Sequence, residues 1–362
     1  MAIFQCLGMF KVKSKQRRLE NYNMVVNNIG YEKDGGEPKG KTNQVGAVEE
    51  PIRKFSWDEI ERFTENFSTV IGTGGFSTVY LAHLDGGRVG AIKINPGSER
   101  LTLVFREELD ILRQLHHQNI VKLIGYSNDR DDQGALVFEY VPNGSLQEKL
   151  HGGGEDRSNI IPWKNRMAIA FQVAQALEYL HEKNNLPIVH GDIKPSNILL
   201  DTNMNCRLCD FGTAKKGFSS AVQPTNKIHR RILMTGSPGY TDPHYLRTGI
   251  PSKKNDVYAF GVLLLELVTG REAFCSAAAQ SLTTAVGSKL AKLSEVDVEE
   301  MVDSRLGREF DEEEARVVLS LAAQCISQPP SLRPSATHIL ETIETNVSSM
   351  SFLFSDHSKI KS

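Results

Sequence analysis

The chain has 362 residues, 40% hydrophobic and 24% charged, with 42 basic against 44 acidic side chains. That length and balance suit one large two-lobed domain or two ordinary ones, with an ample core, and give no support to a nucleic-acid binder, which carries a marked basic excess. The five cysteines (Cys6, Cys206, Cys209, Cys275, Cys325) are few, odd in number and irregularly spaced, which fits a reduced, intracellular setting.

Residues 1–54 show no sustained hydrophobic period. Lys11, Lys13, Lys15, Arg17 and Arg18 precede the first acid, Glu20, and a Gly- and Asn-rich stretch from Asn27 to Gly46 reads as a linker. Two readings fit this segment. One is a solubilising disordered tail. The other is a membrane-associating anchor, in which an acyl chain on Cys6 acts together with the basic cluster Lys11–Arg18. Ala2 excludes N-myristoylation. The longest apolar run, Val257 to Leu265, falls far short of the ~20 residues a bilayer span needs, and Met1 to Leu7 lacks the order of a secretory signal.

Ser56 followed by Glu59 is a capping-box pattern, and Ile60 and Phe63 recur at helical spacing, which predicts a short amphipathic helix. Val70 to Leu81 then predicts two strands around Ile71-Gly72-Thr73-Gly74-Gly75-Phe76-Ser77. Glycines there let backbone N–H groups approach phosphates, although a plain glycine hairpin explains the pattern as well. Lys93 lies in the alternating strand Ala91-Ile92-Lys93-Ile94, and an ammonium inside an apolar strand requires a partner. Phe105, Leu109, Leu112 and Leu115 mark a helix; Asn119 to Tyr126 and Ala135 to Tyr140 read as strands.

Asn143-Gly144 breaks the chain, and a polar insertion spans Asp156 to Asn159. Trp163 to His181 is a long helix with Met167, Ala170, Phe171, Ala174, Leu177 and Leu180 on one face. Cys206-Arg207-Leu208-Cys209 has CxxC spacing but no second pair and lies on an apolar strand, so core packing is its reading. Arg316 to Ile326 and Ser335 to Thr342 give the last helices, and the Ser-rich residues 346–362 read as a flexible tail.

The chemistry concentrates in His190-Gly191-Asp192-Ile193-Lys194-Pro195-Ser196-Asn197 and, beyond it, Asp210-Phe211-Gly212. Phosphoryl transfer needs such parts. Asp192 can accept the proton of an attacking hydroxyl, and Lys194 can offset charge on the moving phosphoryl group. Asn197 and Asp210 offer the hard oxygen ligands that Mg²⁺ prefers. A lone loop aspartate is usually a turn residue, but Lys93, Asp192, Asn197 and Asp210 occur in order, each in its own local context.

Together these motifs resemble the catalytic core of a eukaryotic protein kinase. With the segment Phe55 to Ser68 in front and no membrane span, the chain is similar to the plant receptor-like cytoplasmic kinases, of the receptor-like kinase/Pelle class. The resemblance implies an α+β, bilobal fold: a small antiparallel β lobe with one helix (55–141, with its preceding helix) and a larger, mainly helical lobe (142–345). It implies ATP with Mg²⁺, Mn²⁺ being an alternative, and Glu108 as the partner of Lys93, ahead of Glu107. The nucleotide would be lined by Ile71, Gly72, Gly74, Val79, Ala91, Phe138, Leu199 and the hinge Glu139-Tyr140-Val141.

Asp192-Ile193-Lys194-Pro195 is the serine/threonine form, so a protein Ser or Thr hydroxyl is the expected acceptor, and a membrane receptor kinase the expected upstream partner. The resemblance places the chain in the cytoplasm or at the inner face of the plasma membrane. Ser77, Gly191 and His244 depart from the pattern. Gly191 stands where regulated kinases carry the Arg that clamps a phosphorylated activation loop, a non-RD feature, so dependence on such phosphorylation should be weak. Lys227, His229, Arg230 and Arg231 are an alternative phosphate-binding cluster. Asp242-Pro243-His244 replaces Ala-Pro-Glu, so Arg333 needs Asp242, another acid or solvent as partner. These departures support the rival reading, a pseudokinase scaffold without efficient turnover.

Overall fold

A computed structural model describes residues 51–74, 77–130, 133–152, 160–217 and 236–355. The chain divides after Pro51, and all that follows concerns the unit Ile52–Ser362. Cys6, the cluster Lys11–Arg18, the insertion 156–159, Thr235 and the cluster 227–231 lie outside the described residues.

The first elements are β1 (Arg53–Lys54), α1 (Trp57–Phe63), β2 (Val70–Thr73), β3 (Thr78–Leu84), β4 (Arg88–Asn95), α2 (Glu99–Leu112), β5 (Leu123–Arg130) and β6 (Gln133–Glu139). Their strands form one six-stranded sheet in the order β1-β5-β6-β4-β3-β2, antiparallel except where β1 joins β5. The capping box at Ser56 and Glu59 is present. The α1 face of Trp57, Ile60 and Phe63 packs with Phe55 on Ala82, Leu84, Ile92, Ala135 and Val137. Helix α2 packs the core through Phe105, Leu109 and Leu112. At Gly134 a Cβ would stand 2.7 Å from the Phe105 ring, so only glycine lets the helix approach β6 this closely.

One expected strand is displaced. Asn119 to Tyr126 was expected to be continuous, but β5 begins at Leu123. Residues before it pair elsewhere: Val121 N donates to Leu208 O at 3.0 Å and Leu208 N to Asn119 O at 2.8 Å. The apolar pattern runs on while the pairing partner changes, and periodicity cannot register that.

The larger lobe comprises α3 (Leu146–His151), α4 (Trp163–Glu182), β7 (Ile188–Val189), β8 (Ile198–Leu200), β9 (Cys206–Leu208), β10 (Lys215–Lys216), α5 (Pro243–Thr248), α6 (Lys253–Thr269), β11 (Phe274–Cys275), β12 (Gln280–Ser281), α7 (Leu282–Leu290), α8 (Glu312–Cys325), α9 (Ala336–Asn346) and α10 (Phe352–Ser355). Every residue of α6 from Asp256 to Thr269 is buried, as expected of a helix apolar on nearly all sides. Buried Arg166 is held at Asp303 Oδ2 (2.7 Å) and by the carbonyls of Ile161 and Leu267 (both 2.9 Å). No described helix is long and apolar enough to cross a membrane. Cys206 is fully buried on β9, where burial pushes its thiol up to about 12.

The expected flexible tail needs correction over residues 347–350. Val347 and Met350 are buried in the core. Ser348 N and Ser349 N donate to Glu314 Oε1 at 2.7 and 2.8 Å, while Ser349 Oγ and Trp163 Nε1 donate to Oε2 at 2.7 and 2.8 Å. Two apolar residues with local serine donors are too short a pattern to read as core. Burial alone would raise the Glu314 pKa, but the Ser349 and Trp163 donors outweigh it and hold it below the usual range. A carboxylate with a depressed pKa contributes stability that is present above its unfolded value, about 4.3, and lost as pH falls through the folded value. Glu314→Gln is therefore expected to cost about 1–3 kcal/mol near neutrality and to flatten the acid limb of a melting temperature–pH profile.

Candidate active site

The site forms where the sheet meets the larger lobe. Lys93, central on β4, has Leu136 of β6 and Val79 of β3 as cross-strand neighbours. Its ammonium donates to Glu108 Oε1 and Oε2 at 2.8 and 3.0 Å and to Asp210 Oδ1 at 2.8 Å. Burial alone would lower the Lys93 pKa, but the charges of Glu108 and Asp210 reverse that and hold it raised. Asp210 is held below the usual carboxylate range by Lys93, again against burial. Its backbone is left-handed, at φ 63°, a conformation costly outside glycine that turns the carboxylate toward Lys93.

Glu108 is 1% exposed, whereas Glu107 turns outward, 58% exposed. Successive residues on a helix differ by about 100°, so only one of the two can face Lys93.

A second cluster surrounds Asp192. Lys194 Nζ lies 2.6 Å from Asp192 Oδ2, and Asn197 Nδ2 donates to that oxygen at 3.0 Å and to the Asp192 carbonyl at 2.9 Å. Ser237 Oγ donates to Asp192 Oδ1 at 2.9 Å and accepts from Lys194 Nζ at 2.7 Å. The clusters are joined by backbone, since Cys209 N donates to Asn197 O at 2.9 Å.

Beneath them sits Asp256, 1% exposed, which accepts His190 N and Gly191 N at 2.8 Å each and faces His181 Nε2 at 2.9 Å. Gly191 adopts φ 82°, where a side chain would be strained. Phe211 is buried, its ring edge-on to His190 with centroids 4.7 Å apart.

Of the residues expected to line a nucleotide, Gly72 lies opposite Val79, and Ala91 opposite Phe138. Phe138 and Val141 are buried, Ile71 is exposed, and Leu199 bridges to Ser145 just past the hinge. Gly74 N donates to Ser77 O at 2.8 Å, and Gly75 and Phe76 between them lie outside the described residues. Glu139 N donates to Lys122 O at 3.1 Å, and its side chain accepts from Lys122 N at 3.0 Å.

Arg333 finds its partner in Asp242, at 2.6 and 2.9 Å, with both side chains fully buried. The replacement of Glu by His244 therefore leaves no orphaned guanidinium. Sequence reasoning missed two neighbours of the site. One is His181, which sits at the end of a helix with no local motif. The other is Glu266, which accepts from Tyr240 OH at 2.5 Å and from Ala273 N at 3.0 Å while 0% exposed. A buried acid in an apolar helix was the available signal for Glu266.

For Mg²⁺, the donor set fits. The Asn197 amide spends its Nδ2 on Asp192, which leaves its carbonyl oxygen for a cation, and Asp210 has one oxygen beyond the one bound to Lys93.

Residues 66–343 match the protein kinase domain. The chain is 50% identical over 308 residues to a probable receptor-like protein kinase of Arabidopsis thaliana, covering 82% of this chain and 89% of that one. It is also 50% identical over 323 residues to salt tolerance receptor-like cytoplasmic kinase 1 of Oryza sativa subsp. japonica, covering 87% and 86%. A probable LRR receptor-like serine/threonine-protein kinase of Arabidopsis thaliana is 37% identical over 289 residues, a match that spans 31% of that longer protein. Sheet, charges and relatives agree: the chain belongs to the protein kinases, among the receptor-like serine/threonine kinases.

Proposed function

We propose that the enzyme transfers the γ-phosphate of Mg²⁺-bound ATP to Ser or Thr hydroxyls of a protein in receptor-linked signalling, with Asp192 as the base. The observation that carries this reading is the Asp192–Lys194–Ser237 cluster backed by the Lys93–Glu108–Asp210 pairs. Mg²⁺ held by Asn197 and Asp210 would supply neutralisation of phosphate charge. Lys93 fixes the α- and β-phosphates, and Glu108 fixes Lys93. Asp192 takes the proton of the acceptor hydroxyl while Lys194 offsets charge on the phosphoryl oxygens. Ile71, Gly72, Gly74, Val79, Ala91, Phe138, Glu139, Val141 and Leu199 enclose the nucleotide.

Phosphate transfer from labelled ATP with Mg²⁺, and separately Mn²⁺, to a generic basic protein tests this. Label is expected in wild type and lost in Asp192→Asn. Equal background in both, from folded protein that binds ATP, overturns the reading in favour of a scaffold.

Gly191 supports regulation of the non-RD kind, since no side chain there can clamp a phosphate. Phosphatase-treated enzyme is accordingly expected to retain its transfer rate; loss of activity traced to an activation-segment phosphosite contradicts this. An upstream membrane receptor kinase, and peripheral membrane contact through Cys6 and Lys11–Arg18, complete the proposal. Cys6→Ser should move the protein from the membrane fraction to the soluble one.

A further inference from the structure

We infer that Lys215 and Lys216 are positioning residues, tethering helix α2 to the strand that feeds the catalytic loop. The observation is a pair of contacts across the cleft: Lys215 Nζ donates to Glu107 Oε2, and Lys216 Nζ to the Gln114 side-chain oxygen in the turn after α2. Both lysines belong to β10, which pairs antiparallel with β7, Lys215 opposite Val189 and Lys216 opposite Ile188. Val189 leads directly into His190, Gly191 and Asp192.

Glu107 lies on α2 and Gln114 in the turn that ends it, so β10 has one foothold on the helix and one at its C-terminal end. Glu108, next to Glu107, lies about 100° round the helix and pairs with Lys93. Whatever holds Glu107 against β10 therefore holds the rotation of α2 that presents Glu108. Gly191 offers no side chain for such a link from the catalytic loop itself, and β10 supplies it from the neighbouring strand. No phosphate is needed. The inference rests on the reading that the Lys93–Glu108 pair serves transfer.

Lys215 is 26% exposed and Glu107 58%, so the contact is partly screened and its effect modest. Lys215→Met with Lys216→Met is expected to lower kcat about two- to fivefold and to speed amide exchange in residues 99–112. Raising the salt should lower wild-type kcat toward that of the variant. The exchanged pair Glu107→Lys with Lys215→Glu should restore kcat and protection where Glu107→Lys alone does not.

Amide exchange reads the tether even where no transfer occurs, so failure of the catalytic assignment stays distinguishable from failure of the tether. Wild-type protection of α2 in the double Met variant overturns the inference. An exchanged pair no better than Glu107→Lys alone also overturns it, since the lysines would then act through general stability, which melting curves report separately.

Discussion

Lys93→Met is expected to lower kcat/KM by about a hundred- to a thousandfold, the scale of loss when one preorganised charge is removed from a transition state. The ammonium also neutralises Glu108, which is 1% exposed and has no other charged partner among the described contacts at 4 Å or less. Removing it leaves a buried carboxylate that must take up a proton or draw water in, so stability falls too. The two effects separate in the double variant Lys93→Met with Glu108→Leu. An apolar pair of similar volume should recover much of the lost stability, because the buried Glu108 carboxylate is gone and Asp210, which also loses Lys93, is 47% exposed and keeps access to water. It should recover none of the activity. Labelled-ATP transfer beside thermal melts makes the comparison, and a double variant that regained transfer would show that the charge of Lys93 is not used.

Much of the site was legible because its parts are contiguous. Asp192, Lys194 and Asn197 occupy one short loop, where an irregular backbone fixes which side chains converge, and Asp210 follows two residues past the end of β9. The choice of Glu108 over Glu107 came from the resemblance, not from periodicity, and the Lys93–Glu108 contact agrees with it.

The rest was hidden because it joins distant segments. Lys215 and Lys216 meet α2 only because β10 pairs with β7. His181 meets Asp256 only through the packing of α4 on α6. Glu314 gives no sign that Ser348 and Ser349 satisfy it, and the Ser-rich segment they anchor carries no core-forming pattern of its own. Local periodicity reports which face of an element is buried, not which element it meets.

Asp242→Ala is expected to cost about 3–5 kcal/mol, because it strips the counter-charge from a guanidinium whose side chain is 0% exposed. The remaining acceptors of Arg333 are the carbonyls of Ser327 and Lys254, at 2.9 and 2.8 Å, which satisfy hydrogens without compensating charge. Asp242 also accepts His244 N and Asn255 Nδ2, both at 2.8 Å, so Asp242→Asn is the finer probe, keeping the shape of the cap on α5 and removing the charge.

A cycle with Arg333→Met tests the pairing: the double variant should lose much less than the sum of the single losses in denaturant unfolding, and additive losses would show that the pair is not coupled. Burial would raise the Asp242 pKa, yet the Arg333 bond holds it below the usual range, so the pair's contribution is present above about pH 4 and is lost on acidification. The functional consequence follows along the chain. Ser237 lies five residues before Asp242 and touches both Asp192 and Lys194. A segment loosened at Asp242 should therefore misplace the acceptor side of the site first, raising KM for the protein substrate while KM for ATP, set by the opposite wall of the cleft, stays near that of wild type.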